Sequence, residues 1–381
     1  MGRLSAFGGQ ESQESQESQE SQESQESQHG GRAGPSMVLS RALNAIRQDS
    51  QTGLEITEDN GWQCDPRWAQ DAIDKLPEPN QARHLRRWKP SFRSAVILTE
   101  LLGGLEFEFR PGSSKPEATK QDKANAALLK HRIVAGSTIT LLQIDRPTRE
   151  QFERQMAKVF SRATQREARA GEILTQLKPA YAYWTAVCNL SPVRTPKTLE
   201  LISTLLEFSM MVTQRIKHML ACPRPIEYSR LIQPMLPTPE HGTLPSGHAT
   251  EAFFIASVMT LLLGDKETEA AKDMQMFRLA RRIADNRVVA GVHFPADSAA
   301  GFVLAKTLTG VVAARIGKSG GVEANRRFFV DGITQSRDFS LDQVDRWTEV
   351  PEGESAKLPK SELLSWLWNE AEREFKYELD Q

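Results

Sequence analysis

Three short polar clusters sit inside long apolar stretches, and their residue types suit one task. The first is Lys217-His218-Met219-Leu220-Ala221-Cys222-Pro223-Arg224-Pro225. The second is Pro245-Ser246-Gly247-His248, and the third places Asn286-Arg287, His293 and Asp297 within one dozen residues. Arg224 and Arg287 offer planar forks that bond two oxygens at once, and Lys217 adds a point charge. Ser246 can donate a hydroxyl. The run after it reads as a helix, so Ser246 and Gly247 stand at an N-terminus, where free backbone N–H groups favour anions. Gly247 lets the backbone approach an oxygen closely. Asp297 can orient the His293 ring and fix its tautomer, and of the two histidines one can attack or coordinate the anion's centre while the other moves a proton. Together these groups would hold a tetrahedral oxyanion between two imidazoles. Taken singly, each has a plain structural reading: a helix-end charge, a turn, a core histidine. It is the combination and its order that point to chemistry.

The spacing resembles the signature of the type 2 phosphatidic acid phosphatase and vanadium-dependent haloperoxidase superfamily. That pattern is Lys, six residues, Arg-Pro; then Pro-Ser-Gly-His; then Ser-Arg, five residues, His, three residues, Asp. The chain fits at Lys217, Arg224 and Pro225, at all of Pro245 to His248, and at Arg287, His293 and Asp297. Asn286 departs from the pattern's Ser. The resemblance covers about residues 197–316. It implies that Lys217, Arg224, Ser246, Gly247 and Arg287 bind phosphate or vanadate. In the phosphatase chemistry, the residue matching His293 attacks phosphorus, and the one matching His248 protonates the leaving oxygen and then activates water. In the haloperoxidase chemistry, the residue matching His293 coordinates vanadium, which makes vanadate the cofactor and His293 its metal ligand. His241 stands where bromoperoxidases of the family carry a histidine, so it is expected to tune halide or substrate.

The elements that must position these clusters are read as helices: Lys120–Ala135, Arg149–Leu177, Ala180–Leu190, Lys197–Met219, His248–Gly264, Glu269–Ala284, Pro295–Ile316 and Ser361–Phe375. Pro223 and Pro225 stop the helix that carries Lys217, putting Arg224 in the loop after it. Pro295 excludes a regular helix starting before His293, so His293 belongs to the turn leading into the last motif's helix. Ser91 to Leu105 reads as a buried segment and Glu106 to Lys115 as loop or short strand. Phe328-Phe329-Val330 reads as a packing segment, Trp62, Trp68 and Trp88 as core or interface anchors, and Trp366 and Trp368 as docking the last helix on the body. The expected fold is therefore all-α, a helical bundle of the acid phosphatase and vanadium haloperoxidase type with its site between helix ends.

Residues 1–36 read as a disordered tail, with Glu-Ser-Gln repeated six times from Glu11 to Gln28. Residues 37–381 are expected to form one helical domain around the 197–316 core. A short helix fits Ser36 to Ala45, and Met37 is an alternative start. No secretion signal is seen, so a cytoplasmic location is the default. Charge is balanced, with 48 basic and 49 acidic residues, which gives no electrostatic case for nucleic acid. Three cysteines, Cys64, Cys188 and Cys222, show neither pairing nor metal spacing. Cys222 is read as packing. The longest uncharged apolar run, Ala252 to Gly264, is too short to cross a bilayer, so the expectation is a soluble protein with no transmembrane span. The leading functional expectation is a vanadium haloperoxidase-like enzyme acting on halide and peroxide. A soluble acid phosphatase acting on a phosphate ester stands second, and a non-catalytic helical interaction protein third.

Overall fold

The computed structural model describes residues 79–376 except 116, 118–122, 135, 178–180, 265–274, 331–343, 345–346 and 352–353. The expectations for the tail, for Ser36 to Ala45, and for Trp62, Cys64 and Trp68 lie outside the described residues. The chain divides into two compact units, Met1–His84 and Leu85–Gln381, and the second holds all three polar clusters.

The fold is mixed, not all-α. The described residues are 59% helical and carry a five-stranded and a two-stranded sheet. Helix α1, Pro90–Gly103, has Pro at its first position and buries Arg93, Ile97 and Leu101 along one stripe. Strands β1 (Leu105–Arg110), β2 (Ala126–Arg132) and β3 (Thr138–Asp145) come after it. They pair antiparallel in sequence, Phe107 opposite Leu129 and Ala127 opposite Ile144. Two short strands complete this sheet. Arg326–Phe328 (β5) runs parallel to β3, and Thr348–Glu349 (β6) pairs antiparallel with it. The pair β4 (Val322–Glu323) and β7 (Ser355–Ala356) forms the second sheet.

The error in the helical expectation has a local cause. Lys120–Ala135 is rich in helix formers, yet its described part holds β2. The neighbouring Thr138-Ile139-Thr140-Leu141-Leu142 run is β-branched and apolar. It offers β2 a ladder partner and a buried face for Ala126 to Leu129. Strand formation depends on the partner more than on the propensity of the segment itself.

Helices frame the site. The expected single helix Arg149–Leu177 is broken by a 3-10 turn at Ala163–Gln165 into α2 (Arg149–Arg162) and α3 (Arg166–Thr175). Helix α4 spans Tyr181–Cys188, and α5 spans Pro196–Leu220. The buried stripe of α5 runs Thr198, Leu201, Leu205, Phe208, Val212, Ile216, Leu220, and Lys217 lies beside its end. Helices α6 (Gly247–Leu262) and α8 (Pro295–Arg315) are buried on nearly all sides and pack on each other, with α7 (Gln275–Val289) against α6. Helix α9, Glu362–Lys376, packs on α5 and α1. Trp368 is buried there, and Trp366 lies under the cations of Arg93 and Lys197. Trp88 is 47% exposed and anchors no core. Among the described residues α8 is long and apolar enough to cross a membrane, but 89% of its apolar window is buried by the rest of the protein. Its side chains already have protein neighbours.

Candidate active site

The three clusters lie at adjoining helix ends. Lys217 is in the last turn of α5, which closes with Ala221 in the left-handed conformation. Its ammonium donates to the carbonyls of Gly242 (2.7 Å) and Thr243 (3.1 Å). Arg224 caps a single helical turn, Pro225–Tyr228. Its guanidinium donates to the His241 carbonyl (3.1 Å) and the Val292 carbonyl (2.9 Å). Ser246 is the N-cap of α6, accepting from the Ala249 N–H. The Gly247 and His248 N–H groups, in the first turn, have no intrahelical acceptor. Arg287 comes from the last turn of α7. Phe294 caps α8, so His293 stands in the turn before it and Pro295 in its first turn. The Ser246 N–H donates to the Asp297 carbonyl, tying the start of α6 to that of α8.

His293 and Asp297 form a buried dyad. Asp297 Oδ2 accepts from His293 Nδ1 (3.0 Å), from the Thr243 hydroxyl (2.5 Å) and from the Phe294 N–H (2.7 Å). An ionised carboxylate only accepts, so the ring proton sits on Nδ1 and the lone pair on Nε2. Nε2 makes no hydrogen bond among the described residues. Burial, then the charges of Lys217, Arg224, His248 and Arg287, hold the His293 imidazole well below its usual range. It is a neutral, oriented base with one open nitrogen. Burial pushes Asp297 up to about 6, against the bonds from Thr243 and Phe294.

His248 is half-buried. Its Nε2 lies 3.0 Å from the Gln176 carbonyl. A carbonyl only accepts, so Nε2 carries the proton and Nδ1 the lone pair. Burial and the Arg287 charge lower its pKa to about 3. A bound dianion would reverse the second effect and let His248 take a proton.

The cations are the decisive feature. Lys217, Arg224 and Arg287 are each at most 2% exposed. Burial lowers all three, Lys217 to about 7 with help from Arg224, and Arg287 to about 10. Arg287 donates from Nη2 to the Ile173 carbonyl (3.2 Å) and to Gln176 Oε1 (2.9 Å). Its Nε and Nη1 are buried with no partner. Unpartnered buried N–H groups are costly and rare; an acceptor-rich anion would satisfy them.

Residues 198–320 match the family model of the PAP2 superfamily. That segment is a PAP2 superfamily domain. None of the curated proteins matches the chain. The PAP2 domain supplies every residue of the three motifs, but the wall behind Arg287 comes from outside it. Arg169 and Glu172 on α3, with Gln176 at its C-cap, engage Asn286: Arg169 donates to Oδ1, and Nδ2 donates to Glu172 and Gln176. Asn286 thus serves this wall.

The sequence reading missed Thr243 and Gln176. A threonine in a Pro-rich loop and a glutamine over one hundred residues from its partners carry no spacing signal. His241 is exposed. It holds Arg224 through its carbonyl, and its ring Nδ1 lies 3.2 Å from the guanidinium. Cys222 is buried with its thiol pushed up to about 12 by burial and the Asp297 charge, so it is no nucleophile. A cleft of about 480 Å³ lies elsewhere, between the C-terminal half of α8 and Gly321–Glu323, and contains none of these residues.

Proposed function

We propose that the chain is a phosphoester hydrolase of the PAP2 type, working through a phosphorylated His293. The observation that carries this is the open Nε2 of His293, oriented by Asp297, among buried cations whose N–H groups lack acceptors. A phosphate monoester would place its oxygens against Lys217, Arg224, Arg287, the Ser246 hydroxyl and the N–H groups of Gly247 and His248. Nε2 then attacks phosphorus, forming the N–P bond as the P–O bond to the alcohol breaks. His248, protonated under the influence of the bound dianion, gives its proton to the leaving oxygen. Asp297 stabilises the positive charge that develops on the His293 ring. In the second half, His248 takes a proton from water as the water oxygen attacks phosphorus. The N–P bond breaks and releases inorganic phosphate. We read the enzyme as acting without a bilayer, since the apolar faces of α8 are turned to its own core.

The same donors suit vanadate, an oxyanion of like shape, with His293 Nε2 toward the metal. When bound, vanadate would supply peroxide activation for halide oxidation. His241, the residue that favoured that reading, holds Arg224 through its carbonyl and sets its ring Nδ1 3.2 Å from the guanidinium. The experiment is a split assay of the purified protein. One half receives a generic phosphate monoester, the other orthovanadate, bromide and hydrogen peroxide. Ester hydrolysis inhibited by vanadate, with an acid-labile phosphate trapped on His293, is expected. Halogenation that needs vanadate, with no ester turnover, would replace the hydrolase reading.

A further inference from the structure

Gln176 is 1% exposed and lies at the C-cap of α3, outside the PAP2 domain. It meets three residues of the site. Its main-chain carbonyl accepts from His248 Nε2. Its Oε1 accepts from Arg287 Nη2 (2.9 Å) and from Asn286 Nδ2 (3.1 Å). These bonds fix which way both amides face. A guanidinium can only donate, so Oε1, not Nε2, must turn to Arg287. Arg169 can likewise only donate, so Asn286 turns Oδ1 to it and Nδ2 to Gln176. The Gln176 NH₂ group is therefore left over: two donors, buried, without a partner. It shares that condition with Nε and Nη1 of the arginine it holds.

We propose that Gln176 is itself a ligand of the bound oxyanion, its Nε2 donating to an anion oxygen while its Oε1 holds Arg287 in place. This rests on the oxyanion reading of the site given above. The structural alternative is that Gln176 only props Arg287. The two differ in what the Gln176 N–H groups do when the anion arrives. Gln176→Glu keeps the Oε1 contact and the side-chain shape, but replaces the donor with a charged acceptor. Gln176→Met removes both ends and adds no charge.

The test measures the Kd of inorganic phosphate by calorimetry on the full chain and on the two variants, with melting temperature as the control for folding. If Gln176 is a ligand, Gln176→Met loses about tenfold in affinity and Gln176→Glu about 100-fold, since a bond to a charged group is lost and repulsion is added. If Gln176 is only a prop, both variants weaken phosphate through Arg287, and the wild-type Gln176 side-chain amide resonance stays unmoved at phosphate saturation. That outcome overturns the proposal while leaving the oxyanion site standing. A wild-type chain that binds neither phosphate nor orthovanadate overturns both. Should either variant fail to fold, the wild-type side-chain amide resonance of Gln176 decides. It shifts on phosphate addition if Nε2 donates, and an unmoved resonance at saturation overturns the assignment.

Discussion

Helix α5 buries a charge at each end, and the two ends are built on opposite principles. Near its N-terminus Glu200 meets Arg93 through two bonds of 2.5 Å and Lys197 through one of 2.8 Å. Arg93 also donates to the carbonyls of Leu85 and Trp88. Burial pushes the Glu200 carboxyl up, but these partners bring it below its ordinary value. At the other end Lys217 has two carbonyls, and the nearest strong influence on it after burial is another cation, Arg224. The first end is closed; every charge has its complement. The second gathers Lys217, Arg224 and Arg287 near the Asp297 carboxylate, which bonds none of them, and leaves N–H groups of Arg287 without an acceptor. A buried charge with its partner holds a fold together, whereas buried like charges with idle N–H groups await something that is not protein.

The sharpest way to break this contrast is at the dyad. His293→Ala is expected to cut turnover on the order of 10³-fold or more, as loss of a nucleophile does. Phosphate affinity should fall far less, because the cations remain. Turnover of the wild-type order would remove His293 from the chemistry. At the closed end the expected loss is in folding. Glu200→Ala leaves Arg93 buried and uncompensated, a loss of about 3–5 kcal/mol in urea unfolding. The double variant Arg93→Met/Glu200→Leu should recover most of it, and kcat per folded molecule should not move in either. A large kcat change there would mean the two ends are coupled.

The ends should also titrate in separate windows. Lys217 is depressed from 10.5 to about 7. Between those values the unfolded chain holds the proton and the folded one does not, so stability rises with pH across the window and is lost as pH falls through it. Glu200 is depressed below its ordinary 4.5. Its contribution is full above 4.5 and lost as pH falls through the folded value. Lys217→Met should therefore flatten the slope between about pH 7 and 10 and raise the melting temperature at pH 7, by about 2–4 °C for each kcal/mol relieved. It should weaken phosphate binding at the same time. A destabilised Lys217→Met would show that the lysine is structural.

The candidate site was legible in the sequence to a greater degree than the fold around it. Prolines set the helix ends: Pro223 and Pro225 after α5, Pro295 at the start of α8. Helix ends decide where Lys217, Arg224 and His293 stand. That information is local, so a single sequence carries it. The sheet was missed because the preference of Ala126–Arg132 for a strand resides in its partner, Thr138–Asp145, and not in itself. Gln176 and Thr243 were missed for a related reason. Their importance lies in contacts to residues remote in sequence, Asn286 and Arg287 for one and His293 and Asp297 for the other. The break between α2 and α3 also left no signal. Arg162 and Arg169 on either side of it both reach Asp285, so the bend is fixed by α7.

Two glycines test the contrast at its smallest scale. Gly301 on α8 lies where α6 begins: a Cβ there would meet Ala249 Cβ at 2.9 Å and the backbone of Ser246 and Thr250 at 3.0 Å. Gly301→Ala must push the start of α6 away. The expected loss is about 1–3 kcal/mol, with weaker phosphate binding as the Ser246-Gly247-His248 turn moves. Gly247 is the reverse case. A Cβ there meets nothing within 4 Å, and its backbone is helical, so alanine fits without strain. Gly247→Ala should leave the free protein as stable as before, or gain at most about 0.5–1 kcal/mol. The space beside Gly247 is open to the protein but, on the oxyanion reading, filled by the ligand. The same substitution should then weaken phosphate several-fold, with no fall in the melting temperature measured without it. Unchanged phosphate affinity in Gly247→Ala would move the anion away from the start of α6 and toward Arg287 and Gln176.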